Sequence, residues 1–222
     1  YKSEPWSKIC VQDDWSIAAL DFLGGRRGIT GEFRYTTLGI HILTGIIAAT
    51  SKMATADFAN QYLFGPLAIA PRKIYVAPDA EAHKAFTVGK EPKGNIWFSD
   101  NKGVGAAGYG LCLSAEEMSK IGLLCLKKGV FNNKRIVPEK WLAESTTACL
   151  HCGEKFRDMK YGYLWWIIDE SEGSYAAIGN SGNVIYVNPK KELVVAVSGY
   201  FKPAVFDRID FIKGQIEGKM ED

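Results

Sequence analysis

No stretch of this 222-residue chain approaches the roughly 20 apolar residues a membrane-spanning helix needs. The best run, residues 38–50, is interrupted by His41, Thr44 and Gly45, so no membrane segment is expected. Charge of one sign is also missing in bulk: 27 Lys and Arg face 25 Asp and Glu, for a net charge of +2. The basic residues are scattered. Pairs such as Arg26-Arg27 and Lys127-Lys128 are too short to track a phosphate backbone, so nucleic acid is not an expected partner. The five cysteines, Cys10, Cys112, Cys125, Cys149 and Cys152, are an odd number in a chain this large. They suggest no disulfide framework and lean towards a reducing, cytoplasmic setting. Cys112 and Cys125 stand among leucines, as core residues do. Cys149-Leu150-His151-Cys152 gathers three soft ligands, but zinc takes four in spaced pairs, and His41 and His83 offer no matching spacing. No metal and no cofactor is expected. There is no internal repeat, no low-complexity segment and no visible signal peptide. The chain opens on Tyr1 and passes at once into loop-like Ser3-Glu4-Pro5, so it reads as trimmed.

What is present is an ordinary globular balance, 47% hydrophobic and 23% charged, and enough length for a substantial core. A short helix is expected over 14–23, capped by Asp13 or Asp14 and stopped by Gly24-Gly25. A mostly apolar, buried helix follows over 38–49, then one capped by Thr55 and ended by Gly65-Pro66. Residues 70–110 are irregular and insertion-like. Ser114-Ala115-Glu116-Glu117 is a capping box for a helix with Met118, Ile121, Leu124 and Cys125 on one stripe. Asn132-Asn133 spells a tight hairpin turn, and Pro138 opens another helix. After Tyr161 the pattern changes to aromatic and β-branched runs at 163–168, 184–187 and 193–197, an antiparallel meander. A closing helix carries Phe206, Ile209, Ile212 and Ile216 on one face. The expected fold class is α+β, with a mostly helical subdomain over 1–160 followed by strands and a terminal helix over 161–222.

Two segments stand out: Gly31-Glu32-Phe33-Arg34-Tyr35-Thr36-Thr37 and Gly179-Asn180-Ser181-Gly182-Asn183. With Phe64-Gly65-Pro66-Leu67, Gly108-Tyr109-Gly110 before Leu113-Ser114, and Tyr161-Gly162-Tyr163-Leu164-Trp165-Trp166, their order resembles the serine β-lactamase and penicillin-binding-protein family. The branch is the one related to class C β-lactamases and esterases. The resemblance implies an α/β domain in the complete fold, a helical domain beside it, and a cleft between them; the family is often exported. It also implies a Ser-x-x-Lys nucleophile opening a helix ahead of Tyr35. That segment is absent here, so the chain reads as a C-terminal portion, with the missing N-terminal segment as its possible partner.

By the resemblance, Tyr35 is the catalytic base, and Thr37, Asn180, Ser181, Gly182 and Asn183 bind substrate. A phenol with a pKa near ~10 works as a base at neutral pH only beside positive charge. Thr37 replaces the usual Asn, and its single hydroxyl donor equally fits an N-cap for the helix after it. Asn180 replaces a cation. Ser181 can still donate to a carboxylate, Gly182 lets the backbone approach, and Asn183 N–H can serve an oxyanion hole. The same residues also fit a plain turn between two strands. Ser99-Asp100-Asn101-Lys102 satisfies Ser-x-x-Lys, but glycines follow it and it comes after Tyr35, so it reads as a polar loop. The expected function is part of a serine hydrolase acting on a small amide or ester through an acyl-enzyme. The alternative is a catalytically degenerate member that uses the cleft for binding or regulation.

Overall fold

The computed structural model describes residues 4–24, 31–89, 93–180, 182–199 and 207–220. The chain forms two compact units, Tyr1–Leu113 and Ser114–Asp222.

In the first unit a short helix α1 (Trp6–Ile9) precedes α2 (Trp15–Leu23). Asp14 caps α2, its Oδ1 accepting from Ile17 N–H at 3.0 Å, and the Gly24 N–H closes the last turn on Leu20 O. The long helix α3 (Thr37–Ser51) packs against α2. Ile9, Trp15, Ala19, Leu38, Phe98 and Ala106 form the buried core between them. Trp15 sits at its centre, 5.3 Å from the Phe98 ring and 6.0 Å from each of the His41 and His83 rings. Each fully buried side chain of this size contributes about 1.5–3 kcal/mol.

Helix α4 (Thr55–Ala59) runs on into a π turn, Asn60–Phe64. Thr55 is not its cap. Ala54 holds that position without a side-chain bond, and Thr55 Oγ1 instead accepts from Gly105 N–H at 3.1 Å, tying the helix to a distant loop. The stretch expected to be irregular contains β1 (Lys73–Tyr75), α5 (Ala80–Val88) and β2 (Ile96–Phe98). The two strands pair in parallel, Ile74 opposite Trp97. Asp79 caps α5 by accepting from Ala82 N–H at 2.8 Å. Ser99-Asp100-Asn101-Lys102 is a loop, as expected, and its Asp100 is buried. That carboxylate accepts from the N–H groups of Trp15, Lys102 and Val104, so the charge is held by three donors.

The second unit opens with the capping box read from the sequence. Ser114 Oγ accepts from Glu117 N–H at 3.2 Å and Glu117 Oε2 from Ser114 N–H at 2.9 Å. Helix α6 (Ala115–Leu126) is followed by a hairpin, β3 (Val130–Phe131) and β4 (Lys134–Arg135). Asn132 and Asn133 turn it at φ of 47° and 61°. Helix α7 (Glu139–Ser145) starts after Pro138.

The remaining strands are β5 (Leu150–His151), β6 (Lys160–Tyr161), β7 (Trp166–Asp169), β8 (Ser174–Ile178), β9 (Val184–Asn188) and β10 (Leu193–Val197). They pair antiparallel in the order β10-β9-β8-β7-β6-β5. The meander is therefore six strands, not three. Every residue of β9 is buried, because both faces of the sheet are covered. Val184 and Tyr186 face Ile209 and Ile212 of the closing segment, α8 (Asp207–Phe211) and its π continuation Ile212–Ile216. Ile185 faces the other way, towards Gly122 of α6. Phe206, expected on the same helical face, lies outside the described residues. Among those residues no single helix is long and apolar enough to cross a membrane.

Candidate active site

Tyr35 stands two residues before α3 and is 43% exposed. Thr36 holds the N-cap position of α3, and Thr37 is the first helical residue. The N-cap reading therefore belongs to Thr36 and not to Thr37. Thr36 makes no side-chain bond to its own helix. Its hydroxyl donates to Glu4 Oε1, and the same oxygen accepts from Leu38 N–H at 3.3 Å. A carboxylate from far back in the chain supplies both the acceptor and the negative charge that a helix N-terminus favours.

That carboxylate has a cost for Tyr35. Although the ring is partly exposed, desolvation by the atoms around it raises the phenol's pKa above its ordinary value, and the charge of Glu4 raises it further. A base in waiting needs the opposite influence.

One turn along α3 from Thr37 lies His41, buried at 1% exposure. Its Nδ1 accepts from Ala107 N–H at 3.0 Å, which fixes the tautomer with the proton on Nε2. Burial lowers its pKa to about 4, against a smaller opposing pull from Glu4. The next residue, Gly108, packs on Thr37: a Cβ there would come 2.1 Å from Thr37 Cγ2. Tyr109 then bonds His83 of α5 at 2.9 Å. The glycine-rich loop is thus held against α3 by Ala107 and Gly108 and against α5 by Tyr109. A cavity of about 220 Å³ in this unit is lined by Cys10, Trp15, Asp79 and Asp100 among others, but by neither Tyr35 nor Thr37.

In the second unit the 179–183 segment is the turn joining β8 to β9. Gly179 N–H donates to Asn183 O at 2.9 Å, and Gly182 N–H to Gly179 O at 3.0 Å. Asn180 is exposed and Gly182 is buried, with φ +94°, a conformation glycine alone adopts without strain. Asn183 Oδ1 accepts from Gly199 N–H at 2.9 Å, so its side chain anchors the turn to the segment leaving β10. Ser181 lies outside the described residues.

One residue beside this turn has no signal in the motif itself. Arg208 of α8 is buried with its guanidinium against Gly182. Only the pairing of bare glycines at 182 and 199 hints at a large neighbour. The Cys149–Cys152 segment lies in and beside β5, with Cys149 exposed and Cys152 buried. Among the described residues no group of three or more His, Cys, Asp or Glu is arranged to hold a metal ion.

Comparison with known proteins agrees with this arrangement of elements. The 6-aminohexanoate-dimer hydrolase of Paenarthrobacter ureafaciens is 23% identical over 175 residues, covering 76% of this chain and 39% of that protein. An uncharacterized protein of Alkalihalophilus pseudofirmus is 25% identical over 186 residues, covering 78% of this chain and 54% of its own length. The chain thus spans 39% and 54% of the curated relatives it matches. The crystal structure of a β-lactamase from Mycobacterium bovis superposes with a TM-score of 0.57 at 14% identity, over 82% of this chain and 64% of that one. The family model for beta-lactamase matches residues 27–210, which takes in both the Tyr35 turn and the 179–183 turn, and the chain belongs to the beta-lactamase family.

Proposed function

We propose that this chain contributes the base-bearing and substrate-binding segments of a β-lactamase-like serine hydrolase that cleaves a small amide or ester through an acyl-enzyme. The observation that carries the reading is the family match over residues 27–210, together with Gly182 held at φ +94° in the β8–β9 turn. In this reading Tyr35 receives the proton of a serine hydroxyl. The serine oxygen bonds to the substrate carbonyl carbon, the C–N or C–O bond breaks, and the proton passes to the leaving amine or alcohol. Water then attacks the acyl-enzyme and releases the acid. Thr37 and Asn180 orient the substrate, Ser181 donates to it, Gly182 admits it, and Asn183 N–H polarises the carbonyl oxygen.

No Ser-x-x-Lys precedes Tyr35 in the 222 residues, so the reading requires the nucleophile and its lysine from outside them. That lysine is also the positive charge Tyr35 needs, since Glu4 and burial hold its proton on.

The raised Tyr35 pKa favours a second reading, a degenerate member that uses the same surface to bind ligand without turnover. The full-length gene product, incubated with a fluorescent penicillin and with a chromogenic ester, separates the two. Covalent labelling or turnover that disappears in Tyr35→Phe supports the hydrolase. An intact product that neither labels nor turns over any ester or amide leaves the binding reading.

A further inference from the structure

The second unit leaves two large aromatic side chains on its surface, side by side. Trp141 of α7 is 51% exposed and Tyr163, in the loop between β6 and β7, is 43% exposed. Their ring centroids are 5.6 Å apart and their planes tilt by 43°, so they meet as a shallow wedge and each keeps much of its surface in water. The backbone imposes this exposure. Tyr163 N–H donates to Ser145 O at 2.8 Å, and Gly162 N–H to Trp165 O at 2.8 Å. A Cβ on Gly162 would come 2.3 Å from Ser145 O, so the loop lies hard against the end of α7. Leu164 takes φ +66°, a conformation that costs any residue with a Cβ, and it too stands out in solvent. At the far end of the Tyr163 ring, the hydroxyl donates to Glu144 Oε1 at 3.2 Å. The ring is therefore fixed at both ends, and a ligand that packs on it has no loose side chain to order.

The charge beside the wedge is negative. Glu139, at the start of α7, meets Lys128 and Arg135, but Glu144 makes no ion pair among the described residues, not even with Lys140 one turn before it. The Tyr163 pKa is raised by its bond to Glu144 and by that carboxylate's charge, then by desolvation and Cys149, and no basic side chain opposes them. An aromatic face is itself negative at its centre and attracts a cation. Two such faces in a fixed wedge, with an unneutralised carboxylate at the rim, suit an ammonium that carries alkyl groups: the carbons pack on the rings while the charge is met by the faces and the carboxylate. We infer that Trp141, Tyr163 and Glu144 form a binding site for a small organic cation of the alkylammonium class. Antiparallel pairing of β6 with β7 and of β7 with β8 places the site at the sheet end that bears the 179–183 turn. The inference does not rest on the hydrolase reading.

Choline and its uncharged carbon isostere, a dimethylbutanol with a tert-butyl group in place of the trimethylammonium, test it. Each is titrated into the protein at constant ionic strength while the backbone amide resonances of residues 141, 144 and 163 are followed by NMR. The expected result is saturable binding of choline, roughly tenfold tighter than of the alcohol. Trp141→Ala and Tyr163→Leu each abolish that preference. Glu144→Gln, whose amide oxygen still accepts from the Tyr163 hydroxyl while the charge is gone, retains a reduced one. If Tyr163→Leu fails to fold by circular dichroism, the variants at the exposed positions Trp141 and Glu144 carry the comparison. Absence of saturable choline binding, equal affinity for both probes, or an undiminished preference in Trp141→Ala or Glu144→Gln overturns the proposal. Binding is read without turnover, so neither outcome bears on the hydrolase reading.

Discussion

His41 couples the start of α3 to pH. Its ring is buried at 1% exposure and accepts the Ala107 N–H on Nδ1, so protonation there breaks a bond and places an ion in the core. The folded-state pKa, about 4, is depressed from an unfolded value of 6.5. The neutral ring's contribution is therefore whole above about pH 6.5 and is lost as pH falls through about 4. At pH 4.5 the unfolded state binds the proton almost fully and the folded state only in part. The linkage integral between those two values then gives a loss of about 2–3 kcal/mol relative to pH 7.5.

His41→Gln isolates the effect, since an amide oxygen can still accept from Ala107 N–H and does not titrate. Carboxylates and His83, whose pKa burial also lowers, act in both proteins and cancel in the difference. Urea unfolding of the two at pH 7.5 and 4.5 should show the stability advantage of the unaltered protein shrinking by about 2–3 kcal/mol on acidification. Hydrogen exchange at the Ala107 amide should accelerate over the same interval, beyond the intrinsic pH effect, in the unaltered protein alone. Parallel stability curves for the two proteins would refute the coupling.

Two further outcomes follow from carboxylate contacts. Glu217, 2% exposed, accepts from Tyr186 OH at 2.6 Å and Asn188 Nδ2 at 2.7 Å, with Lys191 and Lys213 each 3.9 Å away. Glu217→Ala removes the acceptor of the buried Tyr186 hydroxyl and leaves Asn188 Nδ2 its bond to Glu172 at 3.0 Å, which should cost about 2–4 kcal/mol in urea unfolding; a loss under 1 kcal/mol would show that water or the lysines fill the gap. At the other site, Glu4→Gln keeps an acceptor for Thr36 and Leu38 but removes the charge. The midpoint of the Tyr35 ring-carbon titration, assigned with Tyr35→Phe, should fall, and an unmoved midpoint would mean that Glu4's charge does not reach the phenol.

The features legible in the sequence are those whose cause lies within a few residues. Asn132-Asn133 supplies two left-handed residues where a two-residue hairpin needs them. Ser114 and Glu117 satisfy each other's backbone, and the β-branched run of β10 was readable to the residue. Helix α5 was not legible, because of its nine residues only His83 is buried, so no apolar stripe announces it. Strands β5 and β6 are two residues each and exist through pairing with neighbours rather than by propensity. β8 reads Ser-Tyr-Ala-Ala-Ile, where two alanines blunt the strand signal that burial against β7 and β9 restores.

The candidate site divides along the same line. Tyr35, Thr37 and the 179–183 turn were singled out because their neighbours in sequence carry the pattern. Glu4 and Arg208 act on those residues from distant parts of the chain, one as a helix cap and one as a cation, and nothing next to them in sequence says so. They also act in opposite senses. Glu4 places negative charge beside Tyr35, the proposed base, and Arg208 places positive charge against Gly182. In the proposed function the local motif marks the place of the chemistry, while the charges beside it come from residues only the fold can bring there.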